Sequence, residues 1–301
     1  MRSVEGTGGS GAPGGIAVDV SARLQTSQPL GGERWNDAVR AAYGLSLERV
    51  GTPNATFDFA IRRPRFGASA IVTAPYGTDG GVTCANGRLD KSDVERLHAF
   101  RQERAARMLL IKTRFALPDS APILRVDPGF VTFVLDLEGG GECIWDTRIT
   151  AGMRTYVRKG LRFDVEMRIG GPALFKDFLA VVRECWRDLG TPTHSVQFYR
   201  ALLETWGDEA RIMNLYHRGR AVSTAMLLPA GSTIHHPFSC TLAAYKSTSV
   251  NSALTWHIIE WASDSGFRFF DMGRSPVDSG SFRYKKKWGA EQVALNYGYL
   301  M

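Results

Sequence analysis

The residues best suited to chemistry lie near the C-terminus. Phe270-Asp271-Met272-Gly273-Arg274-Ser275 is followed by Gly280-Ser281-Phe282-Arg283-Tyr284-Lys285-Lys286-Lys287-Trp288-Gly289-Ala290-Glu291. Asp271 and Arg274 fall where an apolar strand gives out, and Gly273 between them allows close backbone approach. Strand ends beside loops are where α/β sheets commonly present ligand groups. Phe282, Tyr284 and Trp288 can pin the following loop, so that its cations point in a defined direction. Against this stands the plain alternative of a solvated surface lysine. Asp271 could orient a nucleophile or take its proton, or simply pair with Arg274. Arg274 could grip phosphate or carboxylate bidentately.

A second basic cluster precedes it. Arg148, Arg154, Arg158, Lys159, Arg162 and Arg168 face only Asp164 and Glu166 over the same stretch. Arg154 and Arg158, four apart, share one helix face. Two guanidiniums there would suit an anion, such as a pyrophosphate-linked lipid precursor or a donor phosphate. A solvated helix face is the alternative. Asn251 opens a helix after Lys246-Ser247-Thr248-Ser249-Val250, where free amides could bind an anion or be capped by Asn or Ser. His194, in a Thr-Pro-Thr-His turn, could line a cleft. His235 and His236 are adjacent on a strand and must face opposite ways.

Other chemistries lack their residues. No His-x-x-x-His or His-Glu-x-x-His spacing occurs, so no metal site is expected. There is no Gly-x-Ser-x-Gly, P-loop or dinucleotide fingerprint. Cys84, Cys143, Cys185 and Cys240 are far apart and form no Cys-x-x-Cys pair, which argues for free thiols.

The elements that must carry these residues can be read from periodicity. The 301 residues suit one large domain or two ordinary ones. Residues 1–32, rich in Gly, Ser, Thr and Pro, read as a disordered tail. A helix from Trp35 to Tyr43 should end at Gly44. Strands are expected over 57–61, 70–73, 108–112 and 131–137, with a helix between them capped by Ser92 and Glu95 and running to about Arg107. The second half should hold a basic helix over 147–159 and a half-buried strand over 163–169. A helix carrying Leu174, Phe178, Val181, Cys185 and Leu189 follows, then another capped by Ser195. A meander of strands over 210–217, 221–228 and 233–240 leads to a helix over 251–264 and strands over 267–272 and 292–299. This order suits an α/β (α+β) fold with a mixed sheet flanked by helices.

The pattern Asp-x-Gly-Arg-Ser, then Gly, then aromatic-Lys-x-x-Trp-Gly-Ala-Glu resembles the C-terminal signature of FemAB-like acyltransferases. The nearest resemblance is to the branch associated with exosortase and exopolysaccharide systems. Arg154-Thr155-Tyr156-Val157-Arg158-Lys159-Gly160, Leu189-Gly190-Thr191-Pro192 and the stretch Asn251 through Leu254 to Trp256 are similar to further family motifs. The likeness covers roughly residues 130 to 299. It implies two tandem GNAT-like domains with mixed, largely antiparallel sheets: 33–145, shortened, and 146–301, the acyltransferase part. It implies transfer of an acyl or aminoacyl group to an amine or hydroxyl of a peptidoglycan or exopolysaccharide precursor. Lys285 and Asp271 would then be catalytic. Arg274, Arg154, Arg158, Lys159, Asn251, Ser275, Trp288 and His194 would bind substrate. No tightly bound cofactor is implied; the donor would be aminoacyl-tRNA or another acyl ester or thioester. The loop 246–250 lacks the glycines of an acetyl-CoA pyrophosphate loop, which argues against that donor.

The formal charge of +7 favours anionic partners. The expected partners are an anionic envelope precursor and the donor, with peripheral contact to the inner membrane. With no apolar run of membrane-spanning length and no signal-like N-terminus, the expected compartment is the cytosol. Two other classes fit the same composition: a basic nucleic-acid-binding module and a non-catalytic scaffold of the same fold.

Overall fold

The structure, a computed structural model, describes residues 27–63, 69–119 and 123–301. In the first half, α1 (Glu33–Tyr43) precedes β1 (Ser46–Gly51), β2 (Ala55–Arg62), β3 (Ser69–Thr73) and β4 (Val82–Cys84). Then come α2 (Lys91–Glu103), β5 (Ala106–Thr113) and β6 (Leu124–Asp136). The second half holds α3 (Gly140–Thr147), α4 (Ala151–Arg162), β7 (Glu166–Gly170), α5 (Phe175–Asp188) and α6 (Val196–Trp206). It continues with β8 (Arg211–His217), β9 (Arg220–Ala230), β10 (Thr233–Thr241), α7 (Val250–Asp264), β11 (Phe269–Pro276), α8 (Gly280–Lys286) and β12 (Glu291–Leu300).

All the strands join one 12-stranded sheet in the order β1-β2-β3-β5-β12-β6-β11-β10-β9-β8-β7, with β4 on β2. Most neighbours are antiparallel; β3–β5 and β10–β11 are parallel. The last strand, β12, lies between β5 and β6 and so stitches the halves together. The expected mixed, largely antiparallel α/β architecture is what the chain adopts.

Helices cover the sheet by burying apolar stripes. Met153 and Val157 of α4 and Val250, Ala253, Leu254 and Ile258 of α7 pack on Phe133, Leu135, Leu227 and Phe270. Helices α4 and α7 approach closely because Gly160 has no side chain: a Cβ there would collide with the Ser249 carbonyl oxygen and press on Ala253. Gly160→Ala should therefore destabilise the fold by about 1–3 kcal/mol, read as a lower denaturation midpoint with unchanged m-value. The largest departure from the expected division concerns α1. Its Trp35 packs edge-on against Phe198 of α6, and Arg34 pairs with Glu209 at 2.9 Å. The helix assigned to the first domain therefore packs on the second half.

Several local expectations are corrected. Helix α2 is capped by Asp90 and Asp93, not Ser92 and Glu95: Asp90 Oδ1 accepts from the Ser92 and Asp93 amides. It stops at Glu103, because Ala105 turns to φ +47° just before β5. The basic helix is α4, which starts at Ala151 rather than 147 because Thr150 caps it through the Met153 amide. Gly140 and Gly141 open α3, a helix the periodicity did not announce. Strand β7 is an exposed edge, not a half-buried strand. The 280–286 loop is helix α8. The expected tail falls mostly outside the described residues, but 27–32 are held in place. The Gln28 amide donates to Thr233 Oγ1 at 3.1 Å, its carbonyl lies 2.9 Å from His235 Nε2, and the Gly31 amide donates to the Asp79 carbonyl.

Candidate functional site

A cleft opens where two parallel strands part. β10 and β11 pair only over Thr233–His235 and Phe269–Asp271. Beyond that, β10 carries a register shift between His235 and Phe238, and Pro237 offers no amide to continue a ladder. β11 carries its own shift against β6 between Asp271 and Arg274. Gly273 supplies the left-handed residue there, at φ +75°, as a one-residue bulge requires. The strands diverge around a cavity of about 710 Å³. His236, Pro237, Phe238 and Ser239 line one side of it, and Met272, Gly273, Arg274 and Lys285 the other.

The first half closes the cleft. Tyr76, Gly77, Thr78 and Lys112 line it. Trp35 Nε1 donates to the Pro75 carbonyl at 2.7 Å, and Tyr297 Oη donates to the Thr78 carbonyl at 2.5 Å, fixing the loop after β3. Tyr76 meets Tyr43 and His194 at ring distances of 4.8 and 5.2 Å. His194 thus lines the cleft as the sequence suggested.

Lys285 reaches the cleft because α8 is pinned beneath it. Ser279 caps the helix through the Phe282 amide, Phe282 stands edge-on to Phe133, and Trp288 is fully buried. The Lys285 ammonium donates to the Gly273 carbonyl at 2.7 Å and the Arg274 carbonyl at 3.1 Å. An ammonium has three donors, so one remains for a ligand. Lys112 is held alike, donating to the carbonyls of Ala74 and Gly77 at 3.2 and 3.0 Å. Arg274 lies over the Phe130 ring at 4.7 Å. Among the described residues three cations line the cleft, and no carboxylate does.

Burial lowers both lysines, Lys285 and Lys112, to about 8, with Arg274 nearby acting in the same direction. They carry charge at neutral pH and lose it as pH rises through about 8, well below the ordinary lysine range. The cleft's affinity for inorganic pyrophosphate should accordingly drop by about tenfold or more between pH 6.5 and 9.5, measurable by titration calorimetry.

Asp271 is not a base. Burial opposes its ionisation, but Arg114, His235, the Thr132 hydroxyl and the Gly273 amide together hold it at about 2. Its partner is Arg114 at 2.6 Å, not the expected Arg274. Arg114 also grips Asp79 at 2.5 Å, and the three form a buried ionic cluster beneath the cleft. A carboxylate so saturated with donors cannot accept a proton from a nucleophile at neutral pH.

The structure separates the remaining expected site residues. Arg154 donates to the carbonyls of Trp145 and Ile149 and so braces the α3–α4 junction. Arg158 stacks on Trp145 at 5.2 Å, and Lys159 is exposed. None of these three lines the cleft. Ser275 is buried in β11, and Trp288 belongs to the core. Asn251 does line the cleft; Ser249, in a left-handed conformation, does not cap α7 with its side chain, and Thr248 Oγ1 accepts from the Val250 amide at 3.4 Å.

A second groove, of about 530 Å³, adjoins the first, sharing Asn251 and Tyr284. Lys246, Arg283 and Lys287 line it, with no carboxylate among the described residues. Helix α8 thus turns Lys285 into the cleft and its neighbours Arg283 and Lys287 into the groove.

Sequence reasoning passed over Lys112 and Tyr76, and gave His236 no role beyond facing away from His235. Lys112 had a signal: a cation ending an otherwise apolar strand. His236 Nε2 lies 2.9 Å from the Met272 carbonyl, which fixes the proton on that nitrogen. Its buried Nδ1 has no partner among the described residues. Burial and the Lys285 charge lower its pKa to about 4.

Among the described residues no His, Cys, Asp and Glu group could hold a metal, and no helix is long and apolar enough to cross a membrane.

Residues 147–286, a little under half of the chain, match the acetyltransferase (GNAT) domain family. The fold is similar to that of solved structures. FemX superimposes with a TM-score of 0.65 at 12% identity, covering 93% of this chain and 94% of that one. The C-terminal domain of a protein assigned as a lysylphosphatidylglycerol synthetase, from Agrobacterium fabrum, gives 0.57 at 12% identity, covering 93% and 89%. A tandem GNAT protein from the clavulanic acid biosynthesis pathway gives 0.58 at 9% identity, covering 93% and 91%. At such identities the likeness is one of fold. No curated protein matches the sequence significantly.

Proposed function

We propose that this chain, with its GNAT-type domain over 147–286, is an acyltransferase of the FemAB type. It moves an acyl or aminoacyl group from an activated ester or thioester to an amine or hydroxyl of an anionic, phosphate-bearing envelope precursor. The observation that carries this reading is the Lys285 ammonium, anchored by two backbone carbonyls in a cleft that no carboxylate of the described residues lines, with one donor unspent.

The roles follow from charge and position. The donor lies in the groove, its phosphates against Lys246, Arg283 and Lys287, and its acyl carbonyl passes Asn251 and Tyr284 to reach Lys285. The acceptor enters from the first half, its phosphate against Lys112 and Arg274. Its nitrogen or oxygen lone pair attacks the carbonyl carbon, and negative charge gathers on the carbonyl oxygen beside Lys285. The carbon–oxygen or carbon–sulfur bond to the donor then breaks, and the proton shed by the nucleophile ends on the departing atom. His236 Nδ1 is too weakly basic to store that proton at neutral pH, but it can accept a hydrogen bond that orients the nucleophile. No covalent enzyme intermediate is required. The proposed donor is aminoacyl-tRNA or another acyl ester or thioester, with no tightly bound cofactor. The fold relative assigned as a lysylphosphatidylglycerol synthetase supports an aminoacyl donor and a phosphate-bearing acceptor.

The test is transfer itself. The protein is incubated with a charged transfer RNA pool or with acyl-CoA. Lipid-linked or nucleotide-linked peptidoglycan precursors, or phosphatidylglycerol vesicles, serve as acceptors. Mass spectrometry should find an acyl increment that depends on the protein. No increment on any acceptor would remove the reading. Within it, Arg274→Ala and Lys112→Met should each raise KM for the acceptor about 10- to 100-fold, with a smaller change in kcat.

A further inference from the structure

We propose that Arg114 and Asp271 are positioning residues that hold Lys285 in place across the boundary between the two halves, acting through the single peptide bulge at Gly273. The inference rests on the catalytic reading of Lys285 given above and extends it to residues that touch no substrate.

The connection is continuous in hydrogen bonds. Arg114 Nη2 donates to Asp271 Oδ2 at 2.6 Å. Asp271 Oδ1 accepts from Thr132 Oγ1 at 2.5 Å and from the Gly273 amide at 2.7 Å. The Gly273 carbonyl in turn accepts the Lys285 ammonium at 2.7 Å. Gly273 is therefore tied at both ends of its residue, by a carboxylate at its amide and by the reactive lysine at its carbonyl. In the left-handed conformation a free glycine has wide latitude; these two bonds remove it. A group held this way needs no rearrangement when charge develops on the carbonyl oxygen.

The anchor comes from the opposite half. Arg114 follows β5, and Asp79 and Ser27 Oγ hold it at 2.5 and 2.8 Å. Both carboxylates are buried, and the Arg114 side chain is 12% exposed. The lysine of the second half is thus aimed by a guanidinium of the first, and closure of the cleft and placement of the ammonium are one event. The groups acting on the Lys285 charge are Asp271, which favours it, and Arg274, which opposes it. His236 feels Lys285 in return, while Asp271 is itself faced by Arg114 and His235.

Two readouts test this in the full-length protein. The first is the pH dependence of Lys285 acetylation by acetic anhydride, read by peptide mass spectrometry, which needs no turnover. The second is kcat at saturating acceptor. In Asp271→Asn the midpoint of Lys285 labelling should fall by about one pH unit or more. kcat should drop by about 10- to 100-fold, with KM for the acceptor little changed. A folded Asp271→Asn protein with the wild-type labelling curve and wild-type kcat would overturn the proposal. Should Asp271→Asn not fold, Thr132→Val decides, since it keeps the charge and removes one donor to the same carboxylate. It should lose several-fold in kcat, and wild-type values for both labelling and kcat would overturn the proposal equally. Failure of the catalytic reading looks different: Lys285→Ala would retain full transfer, whatever the labelling curve of Asp271→Asn.

Discussion

Lys285→Ala is expected to lower the acyl-transfer rate constant by about 10²–10³-fold while leaving the protein folded. The size follows from the ammonium's setting. It sits in a low-dielectric cleft, already oriented by the Gly273 and Arg274 carbonyls, so its attraction for a developing oxyanion is not diluted by reorganisation. The fold should survive because the lysine contributes no core packing: Phe282 and Trp288 hold α8 from beneath. Water can replace the amine at the two carbonyls. Single-turnover transfer, with circular dichroism as the fold control, checks both halves of the expectation. Lys285→Arg should restore little, because a planar guanidinium cannot reproduce a point ammonium seated between two carbonyls. Full activity in Lys285→Ala would end the catalytic assignment.

Arg114→Met should cost about 3–5 kcal/mol of stability. The substitution removes the cation shared by Asp79 and Asp271, each about 2% exposed, and leaves two carboxylates buried without it. Urea unfolding at pH 7 measures the loss. The pH dependence carries a sign. Asp271 has a folded pKa of about 2 against an ordinary 3.8, so its contribution is fully present above about 4. It is lost as pH falls through about 2. The stability gap between wild type and Arg114→Met should therefore narrow over that window. A gap independent of pH would mean that lost packing, not lost charge pairing, sets the cost.

The two results bear on each other. If Arg114 aims Lys285, milder substitutions in the cluster should reduce kcat before they reduce stability enough to unfold the chain. A variant that loses stability and keeps its rate would confine the cluster to a purely structural role.

What could be read from the residues follows from how far each signal reaches. Helices α5, α6 and α7 were legible because apolar residues recur every third or fourth position and a glycine or proline stops them. The meander of β8, β9 and β10 was legible from apolar runs broken by Arg218-Gly219 and Gly231. Edge elements were not: β1 and β4 are short or exposed and carry little apolar pattern. Helix α8 looked like a loop because its seven residues are mostly charged or polar and its aromatic anchors are spaced for packing, not for an obvious stripe.

The amino-acid sequence by itself determined the class of fold and that Lys285 would be held in a fixed place, because both signals are local. Periodicity dictates the elements, and aromatics flanking a cation dictate that it will be held. Only the tertiary structure decided what surrounds that lysine. It turned Asp271 from a candidate base into a salt-bridged anchor and paired it with Arg114, 157 positions away. It assigned Arg154 to bracing a helix junction and brought Lys112 from the other half to the cleft. The physical reason is that charge works through distance and dielectric. Neither is a property of a residue or its neighbours in the chain; both are fixed when β12 closes one sheet from two halves.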